Sequence, residues 1–101
     1  MNKTMKKTDK KIENKLRQAL TEVCHFALEN IEGYEWITHK VNYNVFPDSL
    51  QITCAFVSQS DIDNLKNLNQ DCVLKKVITA KLASINIKLN NLDKQISYIV
   101  A

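Results

Sequence analysis

The side chains that could do chemistry are few: two histidines, three cysteines and scattered acids. Cys24 and His25 are adjacent. On a helix they project about 100° apart, so one ion cannot easily be gripped by both. His39 and Cys54 fall on one face of a predicted β-hairpin, as diagonal neighbours. No CxxC or HxxxH spacing accompanies them, so neither a metal site nor a cofactor is expected. Cys54 beside His39 is also the pairing of a thiol nucleophile and its base. Both are predicted in mid-strand on the packed face, where burial raises a thiol pKa and closes off access. Asp61 and Asp63 lie at a predicted helix start, where carboxylates complement the dipole. Glycine occurs once, which excludes phosphate-cradling and dinucleotide loops. These residues read as framework, and the chain is expected not to be an enzyme.

The other candidate chemistry is charge. The chain has 101 residues and a formal charge of +3, and the excess is concentrated at the front. Lys3, Lys6, Lys7, Lys10, Lys11, Lys15 and Arg17 oppose only Asp9 and Glu13 over residues 1–17. The remainder is slightly acidic. A basic segment leading into a helix can neutralise several phosphates, so these seven residues are the candidate nucleic-acid contacts. Glu22, Glu29 and Glu32 end the basic stretch. No helix-turn-helix is visible.

The elements that position these groups follow from periodicity. Residues 1–8 read as a flexible basic arm and 9–101 as a single α+β domain. From Asp9 to Glu32, Ile12, Leu16, Ala19, Leu20, Val23, Phe26, Ala27 and Ile31 form one apolar stripe, and Gly33 suits the helix stop. The period then becomes two. With Phe46-Pro47-Asp48-Ser49 as a type I turn, Val45 faces Leu50, Tyr43 faces Ile52, Val41 faces Cys54 and His39 faces Phe56 on one face. Trp36, Thr38, Lys40 and Asn42, with Asn44, Gln51 and Thr53, fall on the other. That polar face is the candidate surface for a protein partner or a homodimer. Ser60 with Asp63 suggests a capping box before a helix carrying Ile62, Leu65 and Leu68. Asn69-Gln70-Asp71 breaks it, with Asp71 as cap, before a second segment carrying Leu74, Val77, Ile78 and Leu82. Ile85, Ile87 and Leu89 alternate as a possible strand, and Ile96, Tyr98 and Val100 as a last one. The expected architecture is a long helix, an antiparallel hairpin, a broken second helix and one or two C-terminal strands, with the helices on one face of a small sheet. No apolar run approaches membrane-span length, and no secretory signal pattern is present. Three cysteines without a framework read as reduced thiols in a reducing compartment, the cytoplasm.

Two resemblances bear on function. The order helix-strand-strand-helix-helix-strand is similar to that of a type II KH domain, an RNA-binding fold. Such domains place a GXXG loop where this chain has Leu68-Asn69-Gln70-Asp71-Cys72. Over the first half, Lys6-Lys7-Thr8-Asp9-Lys10, Ala19-Leu20-Thr21-Glu22-Val23-Cys24, Trp36-Ile37-Thr38-His39 and Phe46-Pro47-Asp48-Ser49-Leu50 look like a family of short proteobacterial proteins. Those proteins are often labelled Fis family transcriptional regulators. Fis itself is all-helical with a C-terminal helix-turn-helix, from which this chain departs. The resemblance implies a bacterial cytosolic protein and carries over no site residues. The reading is a nucleic-acid-associated accessory or regulatory protein, the alternative being a non-catalytic protein-interaction or self-associating module.

Overall fold

The first helix, α1, runs Lys7–Asn30, two residues earlier at its front than the periodicity suggests. The computed structural model describes residues 7–101, so Lys3 and Lys6 lie outside the described residues, as does the side chain of Lys7. The stripe expected for α1 is the one it buries: Leu16, Ala19, Leu20, Val23 and Ala27 are inside, and Ile12 and Phe26 pack at the margin. Gly33 follows at φ +82°, the left-handed conformation that glycine adopts without penalty. Its α-carbon also lies against the Asp61 side chain, leaving no room for a β-carbon.

Strands β1 (Tyr34–Lys40), β2 (Gln51–Phe56) and β3 (Ile96–Val100) form one sheet in the order β1-β2-β3. β1 and β2 are antiparallel, β2 and β3 parallel. Helices α2 (Gln59–Asn67), α3 (Gln70–Ala83) and the single turn α4 (Leu92–Gln95) connect β2 to β3. Leu50, Ile52, Cys54, Phe56 and Ile96 meet Ile62, Leu65, Leu74, Ile78 and Leu82 in the core. The α+β architecture is as expected.

The hairpin is real but its register is corrected. Ile52 faces His39 rather than Tyr43, and Cys54 faces Ile37 rather than Val41. The slide is four residues. Because it is even, the side chains that remain paired keep their expected face, whereas Val45, expected to face Leu50, is left exposed in the loop. The tight turn gives way to a long loop over residues 41–50, containing a 3₁₀ turn at Tyr43–Val45 and a cis Phe46–Pro47 bond. Asn42 caps that turn by accepting from the Asn44 amide, and Ser49 Oγ both accepts from Asn42 N and donates to Asn42 O. Gln95, almost fully buried, donates from Nε2 to the carbonyls of Pro47 and Leu50 at 2.9 and 3.1 Å. These local and distant bonds satisfy the loop backbone, which a two-residue turn would have left in a ladder.

Other boundaries also move. The cap of α2 is Ser58, bonded to Asp61, two residues before the expected box. Leu68 ends α2 as its exposed C-cap instead of joining the core. Asn69, left-handed at φ 58°, precedes α3, so Asp71 sits in its first turn rather than capping it. Residues 85–89 are not a strand. Asn86 is left-handed, with Asn86 N bonded to Ala83 O and Ile87 N to Leu82 O, which closes α3 in a Schellman motif. Ile87 and Leu89 are buried by that closure, without a ladder.

Gly33→Ala combines a strained φ with a collision against Asp61. It should lower unfolding stability by about 1–3 kcal/mol in urea titration, with the fold retained.

Candidate functional site

The sequence candidates do not gather in one place. Lys10, Lys11, Lys15 and Arg17 are all exposed on the front turns of α1, but they point two ways. Lys11 and Lys15, one turn apart, stand with Thr8 and Ile12 over Phe46, Ile85, Asn86 and Ile87 around a cavity of about 300 Å³. Lys10 and Arg17, two turns apart, line the opposite flank with Asn14, His39, Val41 and Tyr43 around a cavity of about 390 Å³. An adjoining cavity of about 330 Å³ shares Arg17 and His39 and extends the groove past Thr21, Cys24 and His25. The basic front is thus a collar around α1.

At the centre of the groove is Glu13, a residue to which sequence reasoning gave no role. Its carboxylate accepts from Arg17 Nε at 2.7 Å, from His39 Nε2 at 3.1 and 3.3 Å, and from the Tyr43 hydroxyl. A carboxylate only accepts, so Nε2 of His39 carries the hydrogen. Burial alone would raise the pKa of Glu13, but the bonds from Tyr43 and Arg17, together with His39, hold it below the ordinary value of 4.5. The Tyr43 hydroxyl is pushed upward, first by burial and then by donating to Glu13. Tyr43 also packs against Phe46, with ring centroids 5.4 Å apart. The sequence signal for this cluster was weak: His39 and Tyr43 share the apolar face of the hairpin, which marked them as framework without naming a partner.

The polar sheet face is only partly as read. A bulge between Tyr34 and Trp36 leaves Glu35 without a partner on β2. It sends Tyr34 into the core against Phe56 while Trp36 faces outward, 41% exposed. Trp36, Ala55 and Ile99 form an outer row across the three strands, and Thr38, Thr53 and Ser97 the next. Lys40 pairs with Gln51 on the same face. Asn42 lies past the end of β1 with its side chain capping the 3₁₀ turn, and it borders this face beside Lys40 and Gln51.

The thiol reading fails on geometry. Cys54 is fully buried opposite Ile37, while His39 is engaged by Glu13. Burial pushes the Cys54 thiol up to about 12. Among the described residues no three His, Cys, Asp or Glu side chains gather as a metal site, and no helix is long and apolar enough to cross a membrane. Comparison with family models, with curated proteins and with solved structures finds no match.

Two outcomes follow. A group with a lowered pKa stabilises the fold above the ordinary carboxylate range and loses that contribution as pH falls through its native value. Wild type should therefore exceed Glu13→Gln by about 1–2 kcal/mol in urea unfolding at pH 7, the gap closing below about pH 4.5. With a thiol-reactive dye under native conditions, exposed Cys72 should label promptly, while Cys54 should stay inert until the protein unfolds.

Proposed function

We propose that the protein is a nucleic-acid-associated accessory or regulatory protein that holds phosphates with the front of α1. The observation that carries this is the exposed collar of Lys10, Lys11 and Lys15 with Arg17, set against Asp9 and Glu13, the latter partly buried and covered by three donors. An anion approaching the collar therefore meets an excess of positive charge, four cations to two carboxylates over residues 9–17. Lys11 and Lys15 add a second feature. They stand over the apolar shelf of Phe46, Ile85 and Ile87, a floor on which a base or sugar can pack beside a neutralised phosphate. Lys3, Lys6 and Lys7 precede the collar in sequence and extend the same charge. The similarity in element order to type II KH domains leans the same way, although no glycine loop joins α2 to α3.

Binding of fluorescent single-stranded RNA and duplex DNA, followed by anisotropy at about 50 mM salt, tests the reading. Affinity should fall steeply with salt, and Lys11→Glu with Lys15→Glu should weaken it at least tenfold. The pair should also reduce the log–log salt slope by about 1.5, the loss of two phosphate contacts. No binding of either nucleic acid at that salt would end this reading.

A further inference from the structure

The flank of α1 away from the Lys11–Lys15 shelf has a different character. Its groove runs between α1 and β1, from Lys10 and Asn14 past Arg17 to Thr21, Cys24 and His25. β1 is an edge strand, and among the described residues its only ladder partner is β2. Thr38 projects to the outer face of the sheet, yet it lines the same cavity as the inward residues Ile37 and His39. The groove therefore opens onto the free edge of β1.

We infer that this groove receives an acidic, extended segment of a partner protein, added as a fourth strand on the edge of β1. Three observations select that occupant. An unpaired strand edge offers amide and carbonyl groups at the repeat of another backbone, which a peptide matches residue by residue. Leu20, Cys24, Ile37 and Val41 supply an apolar floor for alternate side chains of the incoming strand. The lining carries Lys10 and Arg17, with His25 beyond them, against the one carboxylate of Glu13, which three donors already cover, so an incoming carboxylate finds more opposite charge there than a lysine does. Arg17 is bonded to Glu13 through Nε and its side chain is 72% exposed, leaving its terminal nitrogens for a carboxylate. On the opposite edge the strand itself is uncharged. Residues 96–101 of and after β3 hold no charged side chain.

The probe is a fluorescein-labelled octapeptide alternating valine and glutamate, titrated into the full chain and read by anisotropy and amide chemical shifts. Binding should be one to one, should move the amides of Ile37–Lys40 and not those of β3, and should fall at least tenfold when lysine replaces glutamate. Strand addition uses every second amide of the guest. Methylating the valine nitrogens or the glutamate nitrogens should therefore abolish binding in one case and spare it in the other. Arg17→Ala and His25→Glu, both on the exposed side of α1, should each weaken the peptide at least fivefold while the Lys11→Glu, Lys15→Glu pair leaves it unchanged. The inference is overturned by no binding at millimolar peptide, by equal effects of the two methylation patterns, or by shifts confined to other surfaces. It is also overturned if single-stranded RNA displaces the peptide and moves the same β1 amides more strongly, which would assign the groove to nucleic acid.

Discussion

One partly buried carboxylate ties the front of the molecule together. Glu13 sits on α1, and its donors come from three places: Arg17 on the next turn, His39 on β1, and Tyr43 in the loop beyond β1. Removing a carboxylate from water is costly unless hydrogen bonds replace the lost hydration. Here three donors do so, and each is thereby fixed. The helix front cannot drift from the sheet edge without leaving a partly buried charge unpaired. The loop cannot close as a tight turn without withdrawing Tyr43. The groove, the direction of Arg17 and the spread of the cationic collar all follow from where that carboxylate lies.

This constraint explains which parts of the fold were legible. Periodicity along α1 named its buried face because packing against the sheet is what the stripe is for, and Leu16, Leu20, Val23 and Ala27 obey it. The two-residue alternation through Ile37, Ile52 and Cys54 named the inner face of the hairpin for the same reason. Register needs more than alternation. Pairings two residues apart on each strand bury the same side chains, so the pattern is blind to an even slide. What chose between them was Tyr43 and Phe46 packing together under α1, and Gln95 reaching back from α4. Neither interaction leaves a local mark in the sequence. Ile85, Ile87 and Leu89 failed for the opposite reason: a local signal existed, but Asn86 at the left-handed position of a helix stop outweighed it.

The candidate site was legible in its charges and not in its shape. Lysines at 10, 11 and 15 are obvious in a list of residues. Their division between two flanks depends on the rotation of α1 about its axis, which the core sets. Trp36 shows the same limit. Alternation placed it on the outer face correctly, but alternation alone would have sent Tyr34 there too. The extra residue at Glu35 separates the two aromatics, giving one to the core and one to the surface.

Gln95 gives the long loop an uncommon dependence. The chain between β1 and β2 has its Pro47 and Leu50 carbonyls bonded by a side chain that arrives 45 or more residues later. Until α4 docks, the Pro47 carbonyl has only the Leu50 amide and the Leu50 carbonyl looks to water, while the loop keeps its internal bonds from Val45 N to Asn42 O, from Ser49 N to Val45 O and between Asn42 and Ser49. The far end of the loop at Pro47–Leu50 is therefore completed late, while the groove wall at Tyr43 is held by Glu13 from the start. During synthesis, α1 and the first two strands can emerge and pair with the groove between them defined, and the far end of the loop gains its last backbone partner once Gln95 has followed.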